Sequence, residues 1–544
     1  MSNTKKHIVH SSPPKHFARG ARDAEVCLRC RWNRSKLRTT LIGVLLRFVM
    51  DSELDYYGNL EEEDRETIEN DMAYQLYGEP DEMYMSLADL WKYCMKGTLR
   101  DWFDITAYVV LSSCFLRWIA SYPRVPRWLI HTVSFLLGLY CMVAVMDWHS
   151  FYAFTFGVIS ITTLYVAHWL FGKWRTTIVT LACLAMIIIV GEYKLAPPQW
   201  NRIRGTVMVM TMKIISLALD LDSGLVTRLP SLPQLFGFVF HCATIIFGPW
   251  ISFYDYHRSL EGCESLEQGG FDLLDPLWFL SVIRALLLST MCLVVSACGI
   301  HWFFGRAEEY GAWSLAFRDA LGFRMSHYFV CFHGESTAVA AGIRRQGRHQ
   351  QDELDQWNLE VVRPACIELP RSLVEVVVRW NQPMHIWLKN YVFRRILPSG
   401  GRFLATLGTF AASALLHGLS FRLSAVLFSL GFYTYAEHTL RLKLATIFNA
   451  CIGARPCHIL CDHRNTPQTC WWVNLINGLW TLLALLNLAY LGMMFDEDQP
   501  IDMAEEFNHM STGNTMESTL KKWSQLKYSC HWISLVMFAF NCLL

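Results

Sequence analysis

Apolar residues in this chain come in long continuous runs, without the three-to-four spacing of a helix that keeps one face wet. The runs begin near residue 104 and recur to the C-terminus. A helix needs about 20 consecutive apolar residues to cross a bilayer. Candidate spans of about that length are 104–121, 127–146, 151–171, 176–195, 233–252, 277–304, 373–393, 402–419, 421–440, 471–494 and 528–544. The pattern predicts an all-α polytopic membrane protein, a bundle of about eleven transmembrane helices. Two stretches break it. Residues 203–219 are apolar but carry Lys213 and run into Asp220-Leu221-Asp222, which reads as a short span or an interfacial helix. Residues 310–346 mix polar and apolar positions, as in Phe323-Arg324-Met325-Ser326-His327. They read as re-entrant or packed inside the protein, where such backbone is tolerated at membrane depth. There is no internal repeat and no inverted-half symmetry of the transporter kind.

Upstream the apolar runs stop. Residues 1–98 form a polar extension whose only apolar patch, 41–50, is too short to span. An acidic run follows that patch at Glu61-Glu62-Glu63-Asp64, the signature of a solvated or disordered face. Among the first 38 residues Lys and Arg far outnumber Asp23 and Glu25, which predicts a cytosolic N-terminus. The division expected is a cytosolic, partly disordered extension over 1–98 and a transmembrane core over 99–544.

Composition agrees with the pattern. Hydrophobic residues make up 53% and charged residues 17%, the latter below the roughly 25% of soluble domains. The 21 Trp and 21 Tyr suit many membrane–water interfaces. A net charge of +1 gives no sign of a nucleic-acid partner. The 18 Cys lie mostly in apolar segments, where a free thiol acts as a small hydrophobe. They do not form the pattern of a secreted disulfide scaffold.

Candidate chemistry centres on His417, which closes the stretch Ala411-Ala412-Ser413-Ala414-Leu415-Leu416. An ionisable group in membrane-grade sequence is expensive and marks a functional site by default. Asn381 lies 36 residues earlier, in Trp380-Asn381-Gln382-Pro383, on the far side of the turn signal Leu397-Pro398-Ser399-Gly400-Gly401. Two helical arms about that turn would bring both to similar depth. A His and an Asn facing each other suit a general base and an orienter or oxyanion donor. The arm from Trp387 through Lys389 and Tyr391 to Arg394 and Arg395 is aromatic, then basic. It reads either as an interfacial belt with snorkelling cations or as a tunnel wall ending near an anionic head group. Arg394, Arg395 and Arg402 favour a cytosolic turn, while Arg422 argues the other way.

Other motifs are weaker. Cys457, Cys461 and His463, with Cys470, look like metal ligands, but no second spaced pair follows, and no metal is assigned. Cys27-Leu28-Arg29-Cys30 is a bare pair. His333-Gly334-Glu335-Ser336 lacks the nucleophile elbow of a serine hydrolase. Glu437 and His438 read as polar residues at the end of a span. A transporter would need carboxylates at mid-depth, whereas Asp147, Glu192 and Glu437 lie near span ends.

The Trp380-Asn381 pair, the Trp-containing helix behind it and the later His417 resemble the pattern of the membrane-bound O-acyltransferases. Flanking strings such as Phe247-Gly248-Pro249-Trp250, Glu368-Leu369-Pro370-Arg371 and Trp387-Leu388-Lys389-Asn390-Tyr391 are similar to members of that family that acylate a serine of Wnt proteins. The resemblance covers roughly residues 104–544 and leaves the N-terminal extension without a counterpart. It implies a multi-pass protein of the endoplasmic reticulum membrane with a tunnel through the bilayer. Palmitoleoyl-CoA enters from the cytosol as co-substrate, with no tightly bound cofactor, and a Wnt serine meets the acyl group from the lumen. Partners implied are Wnt-family proteins, fatty acyl-CoA and membrane lipids. His417 corresponds to the catalytic His and Asn381 to the motif Asn. Trp380, Trp387, Tyr391, Ser413 and Leu416 are expected along the acyl tunnel, and Lys389, Arg394 and Arg395 on the CoA side. The competing acceptor within the family is a lipid, such as a lysophospholipid or a sterol.

Overall fold

The computed structural model describes residues 86–195, 197–261, 275–304, 311–344, 359–457, 461–495 and 512–544. Most of the expected extension, with its acidic run and its CxxC, lies outside the described residues, and the first helix begins at Leu87, ahead of the border expected at 99. Helices come in the order α1 (Leu87–Ala120), α2 (Arg127–Met146), α3 (Ser150–Leu170), α4 (Arg175–Ile188), α5 (Pro197–Ser223), α6 (Leu232–Val239), α7 (Phe253–Glu261) and α8 (Pro276–Val294). They continue with α9 (Ala312–Ala340), α10 (Leu373–Trp380), α11 (Gln382–Leu388), α12 (Arg394–Leu416), α13 (Phe421–Ile447), α14 (Trp471–Gly492), α15 (Thr512–Gln525) and α16 (Ser529–Leu543). The described residues contain no β-strand, only an isolated bridge between Ala450 and Asn465.

Five helical stretches among them are long and apolar enough to cross a membrane: Leu87–Ala120, Arg127–Leu170, Gly172–Gly191, Pro276–Gly299 and Trp471–Phe495. The second has 44 residues, about 66 Å of helix and twice a bilayer's apolar core. Asp147, at φ 52°, breaks it into α2 and α3, as the two separate hydrophobic runs predict.

The two stretches that broke the hydropathy pattern became interior helices. In α5, residues 209–220 are exposed by no more than 7% each. That segment has no wet face, as an interfacial helix would need, and packs inside the bundle. Lys213 Nζ donates to Phe238 O and Thr244 Oγ1 at 2.8 Å each, so the buried amine is satisfied by neighbouring chain. At the end of α5, Arg175 pairs with Asp222. Helix α9 is continuous through most of the mixed region and is buried over 331–340. Of the two expectations for it, internal packing holds.

One cysteine pair departs from the free-thiol expectation. Cys94 in α1 and Cys298, just past α8, are disulfide-bonded with Cα atoms 6.0 Å apart. The largest apolar core gathers α1 to α7 and takes in Trp387 and Leu416 from the later helices. A second core joins α8 and α9 to residues 361–376. The Trp380-Asn381 segment and His417 lie where these cores meet.

Candidate active site

The arm predicted as one helix over 373–393 is interrupted. Helix α10 stops at Asn381, whose backbone is extended (φ −147°, ψ 94°), and α11 starts directly after it. Asn381 is the N-cap: its Oδ1 accepts from Met384 N at 3.1 Å. Pro383 sits in the first turn of α11, where a missing N–H costs nothing. The string Asn-Gln-Pro is therefore a helix-start signal hidden in an apolar run. Equal sequence distance from the turn does not then fix relative depth. The turn itself is realised at Gly401, φ 65°.

The linker at Asn381 is pinned on both sides. Trp380 O accepts from His327 Nε2 at 2.9 Å. Gln382 N donates to Val361 O at 2.9 Å, and Arg363 N to Arg379 O at 3.1 Å. Glu360 gathers Arg363 Nε at 2.5 Å and Gln382 Nε2 at 3.1 Å. Burial raises the Glu360 carboxyl, but these bonds and the nearby guanidinium groups outweigh it and hold the pKa below its usual value. Glu335, buried in α9, accepts from Arg284 Nη2 at 2.8 Å and Val361 N at 3.2 Å, fixing the 359–364 strip in turn.

Met384 N can only donate, so the Asn381 oxygen must face it. The amide orientation is thereby set, and Nδ2 is the group left to serve as donor. The ring of His327 stacks on the Trp380 indole with centroids 4.2 Å apart and planes 10° off parallel.

His417 ends α12, and its N–H donates to Ala414 O at 3.1 Å. Gly418, at φ 92°, turns the chain, and Ser420 caps α13. Trp200 Nε1 of α5 lies 3.5 Å from where a Cβ at Gly418 would sit, an ordinary contact, so it is the positive φ that calls for glycine. His417 is half-buried. Arg204 of α5 and His327 of α9 are close enough to act on it electrostatically. A guanidinium of α5 and an imidazole of α9 thus lie in the electrostatic neighbourhood of His417 on α12.

The expected tunnel residues are distributed around the same junction. Trp380, Asn381 and Tyr391 are half-buried, while Trp387, Ser413 and Leu416 are buried. Trp387 Nε1 donates to Met212 O at 3.0 Å. Tyr391 OH reaches the Asp220 carboxylate at 3.0 and 3.1 Å, with Trp250 edge-on at 6.0 Å. Both rings therefore hold α11 and the turns that follow it against α5. Lys389, Arg394 and Arg395 are exposed, and Arg395 is near enough to Asp220 to act on its charge.

Sequence reasoning missed His327, Trp200 and Arg204. His327 sits between Ser326 and Tyr328 in a stretch too polar to count as a span, so nothing local singled it out. Glu437 was expected at an interface and is instead 2% exposed, accepting from Leu373 N at 3.0 Å and Arg441 Nη1 at 2.8 Å. The His333-to-Ser336 string is helical: His333 Nε2 pairs with Thr106 Oγ1 at 3.0 Å, and Ser336 Oγ donates to His333 O at 2.7 Å. Neither is arranged as a hydrolase nucleophile and base.

Comparison with known proteins follows the same lines. A family model described as the membrane-bound O-acyltransferase family matches residues 160–451. The chain is 34% identical over 458 residues to the protein-serine O-palmitoleoyltransferase porcupine of Mus musculus, covering 81% of this chain and 94% of that protein. The Homo sapiens protein of the same name gives the same identity and coverage. That of Anopheles gambiae is 31% identical over 482 residues, covering 84% of this chain and 94% of the insect protein.

Proposed function

This chain belongs to the membrane-bound O-acyltransferase family, and from that premise we propose that it transfers a palmitoleoyl group from acyl-CoA to a serine hydroxyl of Wnt proteins at the endoplasmic reticulum membrane. The observation that supports the catalytic assignment is that His327, which donates to Trp380 O next to Asn381, is also close enough to His417 to act on it electrostatically. The substrate assignment rests on similarity to the mouse, human and mosquito enzymes.

In this reading the imidazole of His417 takes the proton of the acceptor hydroxyl as its oxygen attacks the thioester carbonyl. Asn381 Nδ2 donates to the carbonyl oxygen as negative charge grows there. Its Oδ1 is committed to the cap, so the donor is fixed before substrate arrives. The ester C–O bond forms, the C–S bond breaks, and the proton leaves with CoA as its thiol. His327 is a positioning residue, since it acts through Trp380. The acyl chain lies along Trp380, Trp387, Tyr391, Ser413 and Leu416, where each buried CH₂ contributes about 0.8 kcal/mol. The exposed Lys389, Arg394 and Arg395 meet the phosphates of CoA. Residues 99–544 carry the reaction together with 87–98, which belong to α1, and the residues ahead of them form a cytosolic extension.

Purified protein in detergent, alkyne-tagged palmitoleoyl-CoA and a disulfide-bonded Wnt hairpin peptide test this directly. The expected product is label on the peptide serine that resists neutral hydroxylamine. Acylation of added lysophospholipid with none on the peptide would overturn the acceptor and keep the family chemistry. Coupled ion flux without acyl transfer to either would overturn both.

A further inference from the structure

The loop after α13 folds back on itself. Cys451 N donates to Asn465 O at 2.9 Å, and Asn465 N to Asn449 O at 3.0 Å. Asn465 Nδ2 reaches Phe448 O at 2.9 Å, and Asn449 Oδ1 accepts from Arg464 N at 3.2 Å. This closure carries Cys451, from the loop's start, to Cys457, Cys461 and His463. Their three Sγ atoms and a His ring nitrogen all lie within 4.8 Å of one another. Cys470, the partner expected from sequence, instead points its thiol to Asn465 Oδ1 at 3.3 Å.

We propose that Cys451, Cys457, Cys461 and His463 bind one Zn²⁺, and that the metal locks this loop against the start of α10. The donor set Cys₃His is a closed structural zinc set. Tetrahedral bonds of about 2.3 Å to sulfur and about 2.0 Å to nitrogen place sulfurs about 3.8 Å apart and sulfur about 3.5 Å from nitrogen. His463 Nδ1 is 3.6 Å from Cys457 Sγ and 3.7 Å from Cys451 Sγ, and the sulfurs of Cys451 and Cys461 are 3.3 Å apart. A disulfide would bring two sulfurs to about 2.0 Å, and it would leave the third thiol over.

The surroundings suit the charge. Three thiolates and a neutral imidazole leave the zinc centre at −1. The guanidinium of Arg371 donates to Cys451 O at 2.8 Å and Gly453 O at 3.1 Å. Arg441 donates to Ile452 O at 2.8 Å and Gly453 O at 3.0 Å. Ser372 Oγ donates to Ala454 O at 2.8 Å. The segment that carries the first ligand is thus clamped by residues 371 and 372, directly ahead of the helix that ends at Asn381. These contacts make the loop part of the support of that helix, independently of the reaction assigned above.

Full-length protein purified without chelator or added metal should contain about one zinc per chain by elemental mass spectrometry. The double variant Cys457→Ser/Cys461→Ser should lose it. In the wild-type protein, Cys457 and Cys461 should resist maleimide until a membrane-permeant zinc chelator is added. The same chelator should speed amide exchange in 371–380 as well as in the loop. Wild-type protein free of zinc, or maleimide labelling of Cys457 and Cys461 at full rate without chelator, would overturn the site. Neither readout depends on the variant folding. Zinc removal that leaves exchange in 371–380 unchanged would overturn the proposed support of α10.

Discussion

The stretch Gly172–Gly191 and helix α9 are both long helices of one chain, yet they solve opposite problems. In Gly172–Gly191 only 22% of the apolar window is buried, and the rest of its surface consists of side chains suited to lipid. In α9 the residues 331–340 are all buried, among them His333, Glu335, Ser336 and Thr337. Lipid tails are as apolar as leucine, so hydrophobicity does not drive one transmembrane helix onto another. An interior helix is held by packing and by hydrogen bonds that lipid would leave unmade. Polar residues therefore mark the inside of this bundle, and two helices that flank the candidate site, α5 and α9, are not among the stretches apolar enough to cross a membrane.

The variant with the largest expected effect sits at the end of the inner set. His417→Ala should cut acyl transfer by up to about 10⁴-fold while elution and thermal stability stay wild-type. A single-turnover assay beside size-exclusion chromatography reads both, and near-normal turnover would remove the base. Next comes Arg441→Met. Arg441 and Glu437 are paired at 2.8 Å with side chains 0% and 3% exposed, and stranding the carboxylate should cost about 3–5 kcal/mol. The check is a large fall in Tm in detergent; an unchanged Tm would mean that the pair is dispensable to the interior.

Asn381→Asp separates two roles of one residue. The carboxylate still caps Met384 N but has no N–H to donate. Stability should hold while the rate falls by about 10²–10³. A wild-type rate in the Asp variant would leave Asn381 a cap only. At the bottom of the scale is Trp169→Leu on α3, where the indole is 74% exposed. The outward face should tolerate it within about 0.5 kcal/mol, and a thermal scan showing a large loss would place an interior surface where lipid is expected.

The sequence made the outer helices legible because their signal is local: a run of apolar residues reports contact with lipid directly. It also made His417 and Asn381 legible, one as an ionisable group in such a run and the other through its Trp-Asn pairing. The break at Asn381 was written there too, as an N-cap followed by Pro383, but hydropathy averaging hid it. His327 and Arg204 were beyond reach for a different reason. Their neighbourhood is made by other elements of the chain, Trp380 lying 53 residues from His327, and nothing local says which polar residues will meet. Glu437 was misplaced for the same cause, since its partners include Leu373 N.

The most direct test of the account is photo-crosslinking with a palmitoleoyl-CoA analogue carrying a diazirine near the middle of its acyl chain, followed by peptide mapping. An inner site predicts adducts on α5, α11 and α12, suppressed by excess unlabelled palmitoleoyl-CoA. Adducts confined to the outward faces of α3 and α4, or insensitive to competitor, would contradict it.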